Sequence, residues 1–479
     1  MKSSFKLTAL ICCLFIQSIQ AKITLPNFFT DNMVLQQKTK VTFSGKANSS
    51  ASVVITTSWD GKNYETAADA TGAWKVIVQT PQYGGPYEVV ISDGEVLTLH
   101  NILIGDVWFC SGQSNMEMPL AGWGKIEHYE QEITKANYPN IRLLQVLHTA
   151  GQKPTDEARL WEGGWQTCSP TSIPEFSSTA YFFAKEIYEK THIPIGLIHS
   201  SWGGTYVEAW MSEQTLTKYE ELKEAYDKMK TTDGGLFDVK NGNQPTALYN
   251  AMVEPFIGFP IEGAIWYQGE SNASRAMAYR ALFPDMIKDW RNKWGIGNFP
   301  FYFVQLANYK KKEESPVASD WAMLREAQTY ALKLPNTGMA VIMDIGDADD
   351  IHPKNKQDVG KRLALLALKN TYQQKTVCRG PSLKSYKIKK GEVLLRFDGT
   401  ENQLVLNGNS GSHAFAVAGN DHKFYWADAK IHGNRMVVSS PQVKEPVAIR
   451  YAWANNPNVV LFNVEGLPAA PFRTDNWNE

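Results

Sequence analysis

Serine, histidine and a carboxylate are the side chains of an acyl-transfer site, and this 479-residue sequence sets them in a few polar loops. The first loop, Gly112-Gln113-Ser114-Asn115, follows a strand-like run. A serine lifted from a sheet edge on a glycine turn exposes its hydroxyl, and the N–H groups around it point at whatever that hydroxyl attacks. The same four residues also suit a plain turn. Far along the chain, "DIGDADDIHPKNK" (344–356) places four aspartates ahead of His352. A carboxylate beside an imidazole orients it and stabilises its protonated form, which is what a general base for serine needs. Two further loops could supply donors. "HSSWGGTYVEAW" (199–210) offers the backbone N–H groups of Gly203 and Gly204, where the lack of a side chain lets a ligand approach. Gln268-Gly269-Glu270-Ser271-Asn272 offers an amide, a carboxylate and a second amide, and a side-chain amide can stabilise an oxyanion. Trp202, Glu270 and Asn272 are the candidate substrate contacts in these two loops. Asn272-Ala273-Ser274 also fits a glycosylation triplet.

A metal reading of the acidic loop does not fit its spacing. Counted from Asp347, positions one and three are aspartate, but position five is Ile351 and position six is not glycine. Two histidines are nowhere spaced four apart as a helical metal pair would be. An activated serine and backbone donors suffice for acyl transfer, so no metal and no organic cofactor is expected.

These loops need elements to hold them. "IPIGLIHSS" (193–201), "FPIEGAIWY" (259–267), "FPFYFVQLANY" (299–309) and "TGMAVIMDIGD" (337–347) are apolar runs of strand length. Between them, residues 179–192, 276–294, 321–334 and 355–372 carry helical spacing. Strands alternating with amphipathic helices predict a parallel sheet covered on both faces, with ligands at the carboxyl ends of its strands. Every polar loop above lies at such an end. Residues 22–100 and 379–479 instead alternate apolar and polar residues between Gly, Asn and Asp turns, which predicts antiparallel, sandwich-like β segments. The two segments could pack into one accessory unit, with the α/β part inserted between them.

The ends and the charge set the context. "MKSSFKLTALICCLFIQSIQA" has two lysines, a short apolar run and Ala21, which predicts a signal peptide cleaved after Ala21. Neither Cys12 nor Cys13 follows the small residue that a lipoprotein signal requires. The remaining cysteines, Cys110, Cys168 and Cys378, are odd in number, so a disulfide scaffold does not organise the chain. A net charge of −1 gives no reason to expect a nucleic-acid or membrane-surface partner. The oligomeric state is not legible.

Taken together, "GQSNMEMPL", "WGGTYVEAW", "WYQGESNA" and "DIHPKNKQDVGKRLA", in this order, resemble the sialate O-acetylesterase family of the SGNH-hydrolase superfamily. The resemblance implies a three-layer α/β/α, flavodoxin-like domain at 101–378 with flanking β-sandwich-like segments. It implies a secreted serine esterase acting on O-acetylated sugars, either sialic acids or acetylated xylan or pectin. A sugar-binding protein on a degenerate hydrolase fold is the alternative of another class. Carried over, Ser114 is the nucleophile and His352 the general base. The oxyanion hole comes from the N–H groups of Ser114 and of Gly203 or Gly204, and from the Gln268 amide, which stands where many relatives place asparagine. The superfamily's Asp-x-x-His spacing selects Asp349 as the supporting acid, while Asp350 is nearer in sequence.

Overall fold

The computed structural model describes residues 23–231, 242–400, 403–408, 413–433 and 435–477, so the expected signal peptide at 1–21 lies outside the described residues. The first strands are β1 Val34–Gln36, β2 Lys40–Lys46, β3 Ser52–Thr57, β4 Asn63–Ala67, β5 Ala73–Gln79, β6 Gly84–Ser92 and β7 Val96–Gly112. Alternation decides which side of each strand is buried: Val41 and Phe43 on β2 and Trp74, Val76 and Val78 on β5 face inward. The β2–β5 ladder packs against a second antiparallel layer of β3, β4, β6 and the first part of β7.

β7 joins this sandwich to the large parallel sheet. Its first part alternates and pairs with β6. At Asn101 the backbone takes a left-handed conformation, which asparagine tolerates. From Ile102 to Gly112 every residue is buried, as a central strand with both faces covered requires.

The sheet is completed by β8 Tyr138–Gln145, β9 Gln166–Cys168, β10 Ile195–Ser201, β11 Gly263–Tyr267, β12 Phe301–Val304 and β13 Thr337–Ala340. The order is β13-β12-β11-β7-β10-β8-β9, and all pairs are parallel except β8–β9. The chain leaves β7 toward β8 and β10 on one side and later builds β11, β12 and β13 on the other. That reversal opens a crevice at the carboxyl end of β7, where Ser114 follows.

The helices are α1 Ser114–Glu117, α2 Tyr129–Lys135, α3 Ser178–Thr191, α4 Glu213–Leu216, α5 Glu220–Thr231, α6 Ala276–Trp294, α7 Asp320–Thr329 and α8 Lys356–Asn370. Trp108 and Cys110 of β7 share one core with α3 and α8, whereas Phe109 shares the other with α6 and the N-terminal sandwich. A Cβ on Gly360 of α8 would lie 2.5 Å from the Phe182 Cβ and 2.7 Å from the Phe183 nitrogen of α3, so these helices meet only because residue 360 has no side chain.

Between residues 382 and 473, seven strands form one antiparallel sheet around a core of its own, and Val405–Leu406 pairs with Leu461–Phe462 in a separate ladder. This differs from a single accessory unit built from both terminal segments: no strand of one pairs with the other among the described residues. The C-terminal sheet is anchored instead to the loop after β12. The buried Arg325 guanidinium donates to the carbonyls of Leu306, Ala307, Ala454 and Asn455. Cys110, Cys168 and Cys378 are unpaired thiols. No described helix is long and apolar enough to cross a membrane.

Candidate active site

Four loops at the carboxyl end of the sheet converge. Gly112 ends β7 at φ 145°, and a Cβ there would lie 2.1 Å from the Tyr267 carbonyl oxygen of β11. Glycine therefore lets the two strands close up while the chain turns. Ser114 begins α1, so its N–H has no acceptor within the helix. His352 Nε2 lies 2.9 Å from Ser114 Oγ. The two residues are 238 positions apart and meet as a base meets the hydroxyl it deprotonates.

The carboxylate beside the imidazole is Asp350. Its Oδ1 lies 3.6 Å from His352 Nδ1 and accepts the His352 backbone N–H at 2.8 Å. Burial alone would raise the Asp350 carboxyl, but that N–H and the Lys354 ammonium outweigh it and hold the group below its ordinary value. Asp349 is exposed, and its backbone N–H donates to Asp347 instead. The spacing that selects Asp349 is not followed because the turn at 347–350 points residue 349 outward.

A buried chain sets the height of His352. Lys356 Nζ donates to the Asn115 side-chain oxygen at 2.7 Å and to the Pro353 carbonyl at 2.8 Å. Asn115 Nδ2 donates to the Ile351 carbonyl at 3.0 Å and to Glu270 Oε1 at 2.6 Å. The carbonyls on both sides of His352 are thus tied to the residue after the serine. Burial pushes the Lys356 amine down to about 7 and the Glu270 carboxyl up. Burial also lowers the His352 imidazole, and the Lys356 charge lowers it further, which favours the neutral form that a base needs.

The donor set differs from the expected one in two places. Both N–H groups of Gln268 are committed, to the Thr205 carbonyl and to Asn272 Oδ1, and its oxygen accepts from Tyr279. Fully buried, it braces two loops and has no N–H left for an oxyanion. Gly203 packs against Ser114, but its N–H donates to Glu117 Oε2 at 2.6 Å. The N–H groups of Ser114 and Gly204 carry no protein acceptor among the described residues. Asn272 is equally committed, to Gln268, Val207 and Glu208, so it is neither a sugar contact nor an accessible glycosylation site. The Glu270 carboxylate turns inward to Asn115. Trp202 is largely buried, stacked on His148 at 4.5 Å between ring centroids.

Three residues near the serine were not legible as site residues. Trp123 is half exposed, and its ring meets the His352 ring edge to face at 5.3 Å between centroids. Glu117 pairs with His148 Nε2 at 3.1 Å. Lys356 lies in the helical run after the histidine. Glu117 lies within "GQSNMEMPL" and Lys356 within "HPKNK", but neither residue type announces the contacts it makes. Among the described residues no group of three His, Cys, Asp or Glu side chains could hold a metal ion.

A serine and a histidine in contact at the switch point of a parallel sheet have the arrangement that serine hydrolases use. The family model described as carbohydrate esterase, sialic acid-specific acetylesterase, matches residues 104–369. The chain belongs to this family and is an esterase. The human sialate O-acetylesterase is 31% identical over 448 residues, 83% of this chain and 81% of the relative. The mouse sialate O-acetylesterase is 29% identical over 469 residues, 86% of each. A crystal structure of a carbohydrate acetylesterase from Xanthomonas citri superposes with a TM-score of 0.86 at 39% identity, covering 95% of this chain and all of that one.

Proposed function

We propose that the protein is an exported, cofactor-independent carbohydrate O-acetylesterase of the SGNH-hydrolase type that works through an acetyl-enzyme on Ser114. The observation that carries this reading is the 2.9 Å contact between His352 Nε2 and Ser114 Oγ. His352 takes the serine proton as Oγ attacks the acetyl carbonyl. The N–H groups of Ser114 and Gly204 donate to the resulting oxyanion. The tetrahedral intermediate collapses, and His352 returns the proton to the departing sugar oxygen. Water, deprotonated by the same imidazole, then releases acetate and restores Ser114. Asp350 orients the ring and stabilises its charged form. In this reading residues 101–378 hold the chemistry, residues 22–100 and 379–479 flank it, and residues 1–21 direct export.

O-acetylated sialic acid is the first substrate, on the names of the mammalian relatives. Acetylated xylan or pectin is the second, and one observation favours it. The two lysines beside His352 are committed, Lys354 to Asp350 and the Gly124 carbonyl, and Lys356 to the buried chain. Neither is free to pair with a sialate carboxylate. A non-catalytic sugar-binding protein would leave the Ser114–His352 contact without a task. Acetate release from acetylated sialosides, xylan and pectin tests all three: release from sialosides alone supports the first, from polysaccharides alone the second, and from none the third.

A further inference from the structure

The outer face of the C-terminal sheet breaks the usual rule for a strand in water. Along Phe424–His432, the inward positions Tyr425, Ala427 and Ala429 join the core, so Phe424 and Trp426 point outward, where polar residues are expected. Opposite them in register stand Ala418 and Ala416 of the strand Phe415–Ala418, and beyond Ala416 lies Arg450. The methyl groups of these alanines leave a trough between large neighbours. The trough is a cavity of about 500 Å³, whose walls are Trp426, Trp477, Trp453 and Phe424 and whose rim is Pro316 and Val317.

The walls are held in place. Trp426 Nε1 donates to the Glu314 carbonyl at 2.8 Å. Trp477 stacks on His422 at 3.8 Å, and Arg450 forms a bidentate pair with Asp475 at 2.9 and 2.8 Å. The pairing neutralises the guanidinium, so the cavity does not select a strong anion. Several fixed indole faces with an imidazole and an amine (Lys423) at the edge suit a ligand with apolar faces and hydroxyl edges.

The loop that bears the cavity's rim also touches the loop that carries His352. Asn308 accepts the Gly346 N–H at 2.7 Å and donates to Asn456 at 2.9 Å, and the same loop runs on to the rim at 315–318. The geometry points to a second carbohydrate-binding site between residues 315–318 and the C-terminal sheet, which holds a sugar unit of a glycan chain whose acetyl group lies at Ser114. This rests on the proposed esterase reading and extends it from a sugar ester to a polymer.

The test uses Trp426→Ala and Trp477→Ala, with Ala416→Phe, which fills the trough from its floor, as the variant that removes no wall. The probes are acetylated xylan and acetylated pectin, with p-nitrophenyl acetate as a substrate too small to reach both sites. KM on at least one polymer rises about tenfold in all three variants, while kcat/KM on p-nitrophenyl acetate stays within about twofold. The polymer affected identifies the backbone recognised. Unchanged KM on both polymers in variants with parental melting temperatures overturns the site. Retardation in a native gel containing xylan or pectin, lost in Trp426→Ala, reads the site without turnover. Retardation in an enzyme that hydrolyses no ester would keep the site and refute the esterase reading, and hydrolysis of p-nitrophenyl acetate without retardation would do the reverse.

Discussion

Asp350 accepts the His352 backbone N–H and stands 3.6 Å from its Nδ1, so one carboxylate fixes both the loop and the ring. Asp350→Asn removes the charge that steadies the imidazolium and lowers kcat roughly 10- to 1,000-fold, less than for a buried partner because the carboxylate is partly exposed. Asp349→Asn, at an exposed position, changes kcat by no more than about twofold. Steady-state rates of the two variants check this, and the reverse pattern would move the role to Asp349. Lys356 acts on the base through charge and position together. Burial, and then the Lys356 ammonium, disfavour the protonated imidazole, so the acid limb of kcat/KM has its midpoint below the ordinary histidine value. In Lys356→Met the midpoint moves up toward that value, because a cation that opposed protonation is gone. A pH profile with p-nitrophenyl acetate reads the shift, and an unchanged limb would show that the lysine charge does not reach the base. Ser114 and His352 were legible because strand-end loops announce themselves by residue type. Glu117, Lys356 and Trp123 were not, since their meaning lies in contacts made across the chain, such as the 241 positions between Lys356 and Asn115.

At the scale of elements, the catalytic loop is only as steady as α8, which begins four residues after His352 and crosses α3 at Gly360. Gly360→Ala forces a methyl against the Phe182 Cβ and the Phe183 nitrogen. It costs about 1–3 kcal/mol of stability, read from urea unfolding; no loss would mean that the helices can part freely. The helices α3, α6, α7 and α8 and the strands between them followed from hydrophobic spacing, and α6 begins and ends where the sequence pattern does, whereas α4 and α5 were not expected. β7 did not follow. Its alternation stops near residue 100 because the strand passes from a half-exposed layer into a fully buried one, and in a sequence that change resembles a boundary between elements. The strand 337–347 likewise ends at Ala340, because the rest of the apolar run packs as loop: Met343 joins the C-terminal core, and Gly346 sits against Asn308.

Across the whole molecule, the N-terminal sandwich is fastened to the sheet by amides that bridge a buried acid, Asp106, and a half-buried one, Glu262. Gln36 Nε2 donates to Asp106 at 3.1 Å and to Glu262 at 2.8 Å, and Gln37 donates to Asp106 at 2.9 Å. Burial, and then the Asp106 charge, pushes Glu262 up to about 7 from an ordinary 4.5. The folded state therefore keeps a proton that the unfolded chain releases between these values. Stability falls as pH rises from about 4.5 to 7 and levels off above, and Glu262→Gln removes the fall, adding about 1–3 kcal/mol above pH 7. Unfolding at pH 5 and 8 checks the sign; a parental slope in the variant would place the coupling elsewhere. Every layer leads to one serine: the switch point at β7, the glycine that frees the turn, and the imidazole held above it. The most direct test of that serine's role is to quench the enzyme in acid during turnover of an acetyl ester and map the trapped acetyl group by mass spectrometry. The acetyl is expected on the peptide bearing Ser114, and neither acetyl nor turnover in folded Ser114→Ala. Acetyl on another residue, or parental acetate release from Ser114→Ala, would contradict that role.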